Sequence, residues 1–282
     1  AVPYANDVAR WGSANGPRAW LAAGLAEALA ARGHTVESPQ WIDLPREKRS
    51  RDSIVNLGYL AARTSDATLA ALQRGAFPIV LEGNCTQCVG PTGGVARADG
   101  SAGMIWYDAH GDMHTMATTS TGLLGGLPFG VCMGWDLDDW RERGGLHQPV
   151  DPAAAALIGA SDLDPEEEHF LATHPIARLD AKDMMTGGGP KTAALLASRA
   201  GRAAGWYLHY DLDVSGTDAA PGGLTPAPFW PPRAELVDSV AAATRAVRLR
   251  CLGLASYDPA MDPEGKGAQL GIDIARAVVD NL

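Results

Sequence analysis

Along this chain, short apolar runs alternate with stretches in which apolar residues recur every three or four positions. The runs FPIVLEG (77–83), AGMIWYDAH (102–110), AALIGASD (155–162), GWYLHYDLD (205–213) and LRCLGLASYD (249–258) predict strands, and each ends in polar or charged residues. Strands that are apolar throughout belong to a parallel sheet covered on both faces by helices. PRAWLAAGLAEALAARGHTV predicts one of those helices, with Pro17 in its first turn, Leu21, Leu25 and Leu29 on one face, and Gly33 as its stop. SIVNLGYLAARTSDATLAALQRGAF predicts another, apolar at Ile54, Leu57, Leu60, Ala61, Leu69 and Leu72 and ended by Gly75; a third starts near Arg233. In parallel α/β sheets ligands bind at the carboxyl ends of the strands. Here those ends deliver Cys85, Asp108, Asp164, Asp211 and Asp258. Two long segments, 114–130 and 215–232, read as loops of the kind that carry function.

Composition narrows the range of functions. With 282 residues and 46% hydrophobic content the chain can bury a large core, and the expectation is one domain spanning 1–282. No apolar run has the length of a membrane span, and AVPYANDVARW has no signal-peptide pattern, so a soluble protein is expected. A net charge of −10 without a basic patch argues against nucleic acid and for a small-molecule partner. Four scattered cysteines make no disulfide framework and fit a reducing cytoplasm.

The densest chemistry lies in WYDAHGDMHT, where Asp108, His110, Asp112 and His114 stand two apart. In an extended segment alternate side chains share a face, so Asp108, His110 and Asp112 converge. HYDLD repeats the pattern with His209, Asp211 and Asp213. Clustered carboxylates without cationic partners are costly, and a divalent metal is the usual compensation. The alternative for either motif is a set of solvated aspartates capping helices.

The series EGNC (82–85), DAHGD (108–112), TTSTGLLGGLP (118–128), IGASDLDP (158–165), DLD (211–213) and ASYDPAMDPEGKGAQLG (255–271) resembles the arginase/agmatinase/formimidoylglutamase superfamily, from Gly16-Pro17 nearly to the C-terminus. The resemblance implies a three-layer α-β-α fold around a mostly parallel central sheet, a first strand ending at AVPY, and a homo-oligomer, trimer or hexamer. It implies two Mn2+ ions that activate a bridging hydroxide for hydrolysis of a guanidino or formimino C–N bond. Asp108 and Asp211 would bridge the metals, His110 and Asp213 would complete one site, and Cys85 and Asp112 the other, with Asp112 also holding the hydroxide.

Three positions depart from the family pattern. Cys85 stands where most members have histidine; a thiolate suits Zn2+ better than Mn2+, so its site is expected to be weak, metal-switched or empty, or the thiol is simply buried. A subgroup acting on Nω-hydroxyarginine shares this cysteine. Gly125 replaces a proton-shuttling histidine, a role left to water, to His114 or to a better leaving group. Ser256 replaces a glutamate that pairs with the guanidinium, and Asp258 would share its face if the segment stays extended. Thr121 matches a residue near the substrate's α-carboxylate, and Asp164 one that binds its α-amino group or else caps the helix that begins at EEEHF. His209 is read as a core histidine or a support for a ligand; Cys88, Cys132 and Cys251 as core thiols. The expected activity is urea-releasing amidinohydrolysis in specialised metabolism. The alternatives are a formimino or amide hydrolase on the same scaffold, or a non-catalytic binding subunit.

Overall fold

The computed structural model describes residues 1–282 apart from Leu224 and Pro226, both inside the 215–232 segment. The chain opens with a small antiparallel ribbon, β1 (Tyr4–Ala5) and β2 (Val8–Ala9). The main sheet follows: β3 (Ile79–Leu81), β4 (Ala102–Tyr107), β5 (Ala155–Ala160), β6 (Ala177–Asp180), β7 (Gly205–Asp211) and β8 (Leu249–Ala255). All six run parallel in the order β3-β8-β7-β4-β5-β6. Val2 adds a parallel bridge to Glu82 at the β3 edge, which is what the structure has of the strand expected to end at AVPY.

In chain order the helices are α1 (Gly16–Ala22), α2 (Leu25–Ala30), α3 (Ser53–Gln73), α4 (Val89–Asp99), α5 (Pro128–Cys132), α6 (Asp138–Arg143), α7 (Pro165–Thr173), α8 (Gly188–Ala197), α9 (Gly216–Ala219), α10 (Arg233–Ala246) and α11 (Lys266–Val279). Ile105 and Tyr107 of β4, with Leu208 and Tyr210 of β7, face α1, α2, α8, α10 and α11. The alternate positions Met104, Trp106 and Tyr207 face α3, α4, α5 and α6. The period of two thus sorts apolar side chains into two cores, one on each side of the sheet. Burying one Leu, Ile or Phe side chain contributes roughly 1.5–3 kcal/mol, so both faces hold the strands in place. The expected three-layer α-β-α arrangement is present. No described helix is long and apolar enough to cross a membrane.

The structure corrects the sequence reading at four points. The first predicted helix is two, because the chain breaks at Ala23-Gly24 with Gly24 at φ +90°. β6 is absent from the sequence expectation: ARLD is short, with charged, half-buried residues at alternate positions and too little apolar signal to stand out. The predicted strands also stop earlier, at Leu81, Tyr107, Ala160, Asp211 and Ala255, so their polar tails lie beyond the ladder. Inside the 215–232 segment, α9 and a bridge from Gly223 to Tyr257 supply structure where an open loop was expected.

Candidate metal centre at the strand ends

The polar tails converge by turning, not by staying extended. Asp108 Oδ1 accepts the backbone N–H of His110 at 2.8 Å, and Asp211 Oδ1 accepts that of Asp213 at 3.0 Å. Each aspartate therefore closes a tight turn on the residue two positions ahead. The spacing of two matters for this turn chemistry and not for strand alternation.

The two turns meet across the β4–β7 junction. His110 Nδ1 lies 3.2 Å from Asp108 Oδ1 and 3.3 Å from Asp213 Oδ2. Cys85, in the single turn of 3-10 helix Cys85–Cys88 after β3, donates its thiol to Asp211 Oδ2 at 2.7 Å. The Ser256 hydroxyl bonds the same oxygen, and Cys85 Sγ is 3.5 Å from Ser256 Oγ. Two groups of donor atoms result, each with its members within 4.8 Å of one another: Asp108, His110 and Asp213; and Cys85, Asp108, His209 and Asp211. Asp108 belongs to both.

Asp112 stays out of both groups. It sits at φ +49°, its carbonyl accepts the N–H groups of Phe129 and Gly130 at the start of α5, and its buried Oδ2 has no partner among the described residues. His114 Nε2 pairs with Asp164 Oδ2 at 2.6 Å, while Nδ1 reaches Thr118 Oγ1 at 3.1 Å. Of the two readings for Asp164 the structure shows the cap: its Oδ1 accepts the N–H groups of Glu166 and Glu167 at the start of α7, in a capping box with Glu167. Thr121 is exposed, its Oγ1 accepting from Leu123 N. Ser256 has φ +63°, so the segment does not stay extended, and Asp258 Oδ1 caps the turn Pro259–Met261. A side chain at Gly125 would meet Asn84 Nδ2 at 3.5 Å, an ordinary contact.

Electrostatically the cluster is unbalanced. Burial, then the neighbouring carboxylates, pushes Asp211 and Asp213 up to about 6. Asp108 and Asp112 are raised for the same reasons, and the Cys85 thiol is held well above its ordinary value by burial and by Asp211. Burial opposes a charge on His110, but Asp108 and Asp213 outweigh it and push the imidazole up to about 12. The histidine gains from its partners while they stay raised, because one cation faces several buried anions. Oxygen and imidazole donors in excess of cations, with buried Asp112 Oδ2 and His110 Nε2 lacking a hydrogen-bond partner among the described residues, fit a divalent metal. The thiol adds a soft donor that favours zinc.

Three further residues stand closer to the site than their sequence context indicates. His209 is fully buried and one of its nitrogens belongs to the second donor group. Burial holds it down at about 4. Glu82, buried beneath it and raised by that burial, bonds Tyr207. Glu167 lies buried beside Met113 N and joins His114 and Asp164 in a third acidic group. Its signal was legible, because Asp-Pro-x-Glu is the spacing of a capping box. For His209 the signal was its place two residues before Asp211 on an inward face.

Comparison with known proteins places this geometry. The model of the arginase family matches residues 1–279. The arginase of Bacillus subtilis is 32% identical over 77% of this chain and 75% of its own length. The native arginase structure from Bacillus caldovelox superposes with a TM-score of 0.89 at 25% identity, covering 98% of this chain and 95% of that one. The proclavaminate amidino hydrolase of Streptomyces clavuligerus shares the fold, with a TM-score of 0.74 at 20% identity over 99% of this chain and 88% of that one. A family match over nearly the whole chain, on the sheet that brings the carboxylate turns together, means that this chain belongs to the arginase family, hydrolases of amidino C–N bonds.

Proposed function

We propose that the chain, as one catalytic domain of 1–282, hydrolyses the amidino group of a small guanidino or hydroxyguanidino compound and releases urea or an analogue. The observation that carries this reading is the pair of donor groups sharing Asp108, with the Asp211 and Asp213 turn completing them. Asp108, Asp211, Asp213 and His110 would hold one divalent ion, and Cys85 with Asp108 and Asp211 a second; Zn2+ or Mn2+ are the candidates. When bound, two such ions lower the pKa of water and polarise the trigonal carbon under attack. Asp112, pinned through its carbonyl and with an Oδ2 that has no hydrogen-bond partner among the described residues, orients the attacking water and accepts its proton. His114, held by Asp164 and Thr118, returns a proton to the departing amine. The oligomer, trimer or hexamer, and a cytoplasmic location belong to the same proposal.

Ser256 favours a second reading, a formimino or amide substrate. Its hydroxyl is tied to Asp211 and no carboxylate stands in its place to neutralise a guanidinium. A hydroxyguanidine, less basic than a guanidine, fits the same absence while keeping urea as product.

The deciding experiment measures metal content and product together. The purified protein should carry at least one transition metal per chain and release urea from one or more guanidino or hydroxyguanidino compounds. Asp108→Asn should remove both metal and activity. Release of ammonia or formamide, with no urea from any such compound, would transfer the assignment to the second reading.

A further inference from the structure

We propose that His209 Nε2 is a metal ligand, joining Cys85, Asp108 and Asp211 as the nitrogen donor of the cysteine-side site, with Tyr207 and Glu82 positioning the ring from behind. The inference rests on reading the strand ends as a binuclear centre. Its grounds are geometric.

His209 is fully buried in β7, its ring stacked on Trp106 with centroids 3.8 Å apart and an interplanar angle of 15°. On one side Nδ1 lies 3.1 Å from Tyr207 Oη and 3.2 Å from Glu82 Oε2. Tyr207 gives its only hydroxyl proton to Glu82 Oε1 at 2.8 Å, so its oxygen is an acceptor toward the ring. With Nδ1 donating to that oxygen, Nε2 is left with a free lone pair. Nε2 is buried and has no hydrogen-bond partner among the described residues. Yet the imidazole offers a ligand atom within 4.8 Å of Cys85 Sγ and of carboxylate oxygens on Asp108 and Asp211.

A core histidine is normally satisfied at both nitrogens, since an unpaired buried polar atom costs about 1–3 kcal/mol. Here one nitrogen is paired with a phenol that Glu82 holds in turn, while the ring brings a donor atom within reach of a thiol and two carboxylates. This is the arrangement by which proteins fix a ligating imidazole from behind. One sulfur, one nitrogen and two carboxylate oxygens make a four-donor set suited to zinc. His209 thus supplies the imidazole that Cys85 does not, and Asp112 is spared for the water.

The test loads chelator-stripped native protein with zinc and counts ligands by X-ray absorption at the zinc edge. Two imidazoles and one thiolate per pair of ions are expected, from His110, His209 and Cys85. One imidazole per pair overturns the proposal and leaves the binuclear reading standing, whereas failure to retain any zinc overturns both. Calorimetric titration adds a second readout. Glu82→Gln should weaken one zinc site by about 10–100-fold, and His209→Gln by at least as much, with the other site kept. A folded His209→Gln variant that binds two ions with native affinity also overturns the proposal. Should that variant not fold, the imidazole count on the native protein decides.

Discussion

Asp211 answers three demands with one side chain. Oδ1 turns the backbone by holding Asp213 N, Oδ2 receives the Cys85 thiol and the Ser256 hydroxyl, and the whole carboxyl group is buried beside Asp108 and Asp213. A group so placed binds protons more tightly in the folded chain than in the unfolded one. Asp211 and Asp213 are pushed up from 3.8 to about 6, so between those values the native state holds more protons. Stability then falls as pH rises through that window, the reverse of the usual salt-bridged carboxylate. His110 does not alter the sign there, because it is protonated in both states below about 6. At roughly 1.4 kcal/mol per unit, the metal-stripped protein should lose on the order of a few kcal/mol between pH 4 and pH 6.5. Urea denaturation in chelator across that range checks it, and stability that climbed with pH would refute it. The aspartates themselves were readable from Asp-x-His and Asp-x-Asp. What the sequence hid was the role of the spacing, which builds turns, and the surroundings of His209, whose Nδ1 lies against Tyr207 and against Glu82, just past β3 and more than a hundred residues away.

At the scale of elements, the position of Cys85 depends on how closely α4 can approach α3 and the turn after α6. α4 continues directly from the Cys85–Cys88 turn, so any displacement of the helix moves the thiol. A Cβ on Gly93 would stand 1.9 Å from the carbonyl oxygen of Gly144, and one on Gly90 would stand 2.7 Å from that of Ala61. Gly93→Ala gains at most about 1 kcal/mol of helix propensity. It must also push aside backbone, and such overpacking costs typically 1–3 kcal/mol or more. The clash should win: a lower urea midpoint with unchanged slope is expected, together with weaker metal binding on the cysteine side. Unchanged stability would mean that α4 has room to shift. Elements with strong periodicity were legible in advance, as α3 and the four longer strands show. α4 was not, because Gly90, Pro91, Gly93 and Gly94 give it a weak helical signal and its fit to α3 is a tertiary property. The break at Gly24 was hidden for the opposite reason, since Leu21, Leu25 and Leu29 keep helical spacing across it.

For the molecule as a whole, the centre exists only after the sheet has closed. Cys85 and Asp211 are 126 positions apart, Ser256 and Asp211 45, and they meet because β8 and β7 lie side by side next to β3. An unfolded chain cannot offer those donors together, so metal binds the native state and stabilises it by mass action. At a free concentration 100 to 1,000 times Kd the gain is about 2.7–4.1 kcal/mol. For a domain of this size each kcal/mol raises Tm by about 2–4 °C, giving a rise of roughly 5–15 °C over chelated protein. Asp108→Asn separates function from folding. Its Oδ1 can still accept the N–H of His110, while one buried negative charge beside Asp211 is gone. The variant in chelator should therefore melt at or above the chelated native protein and gain nothing from added zinc or manganese. If instead it unfolded well below native protein in chelator, Asp108 would be a structural aspartate. The carboxylates would then be holding the strand ends together, not waiting in mutual repulsion for cations.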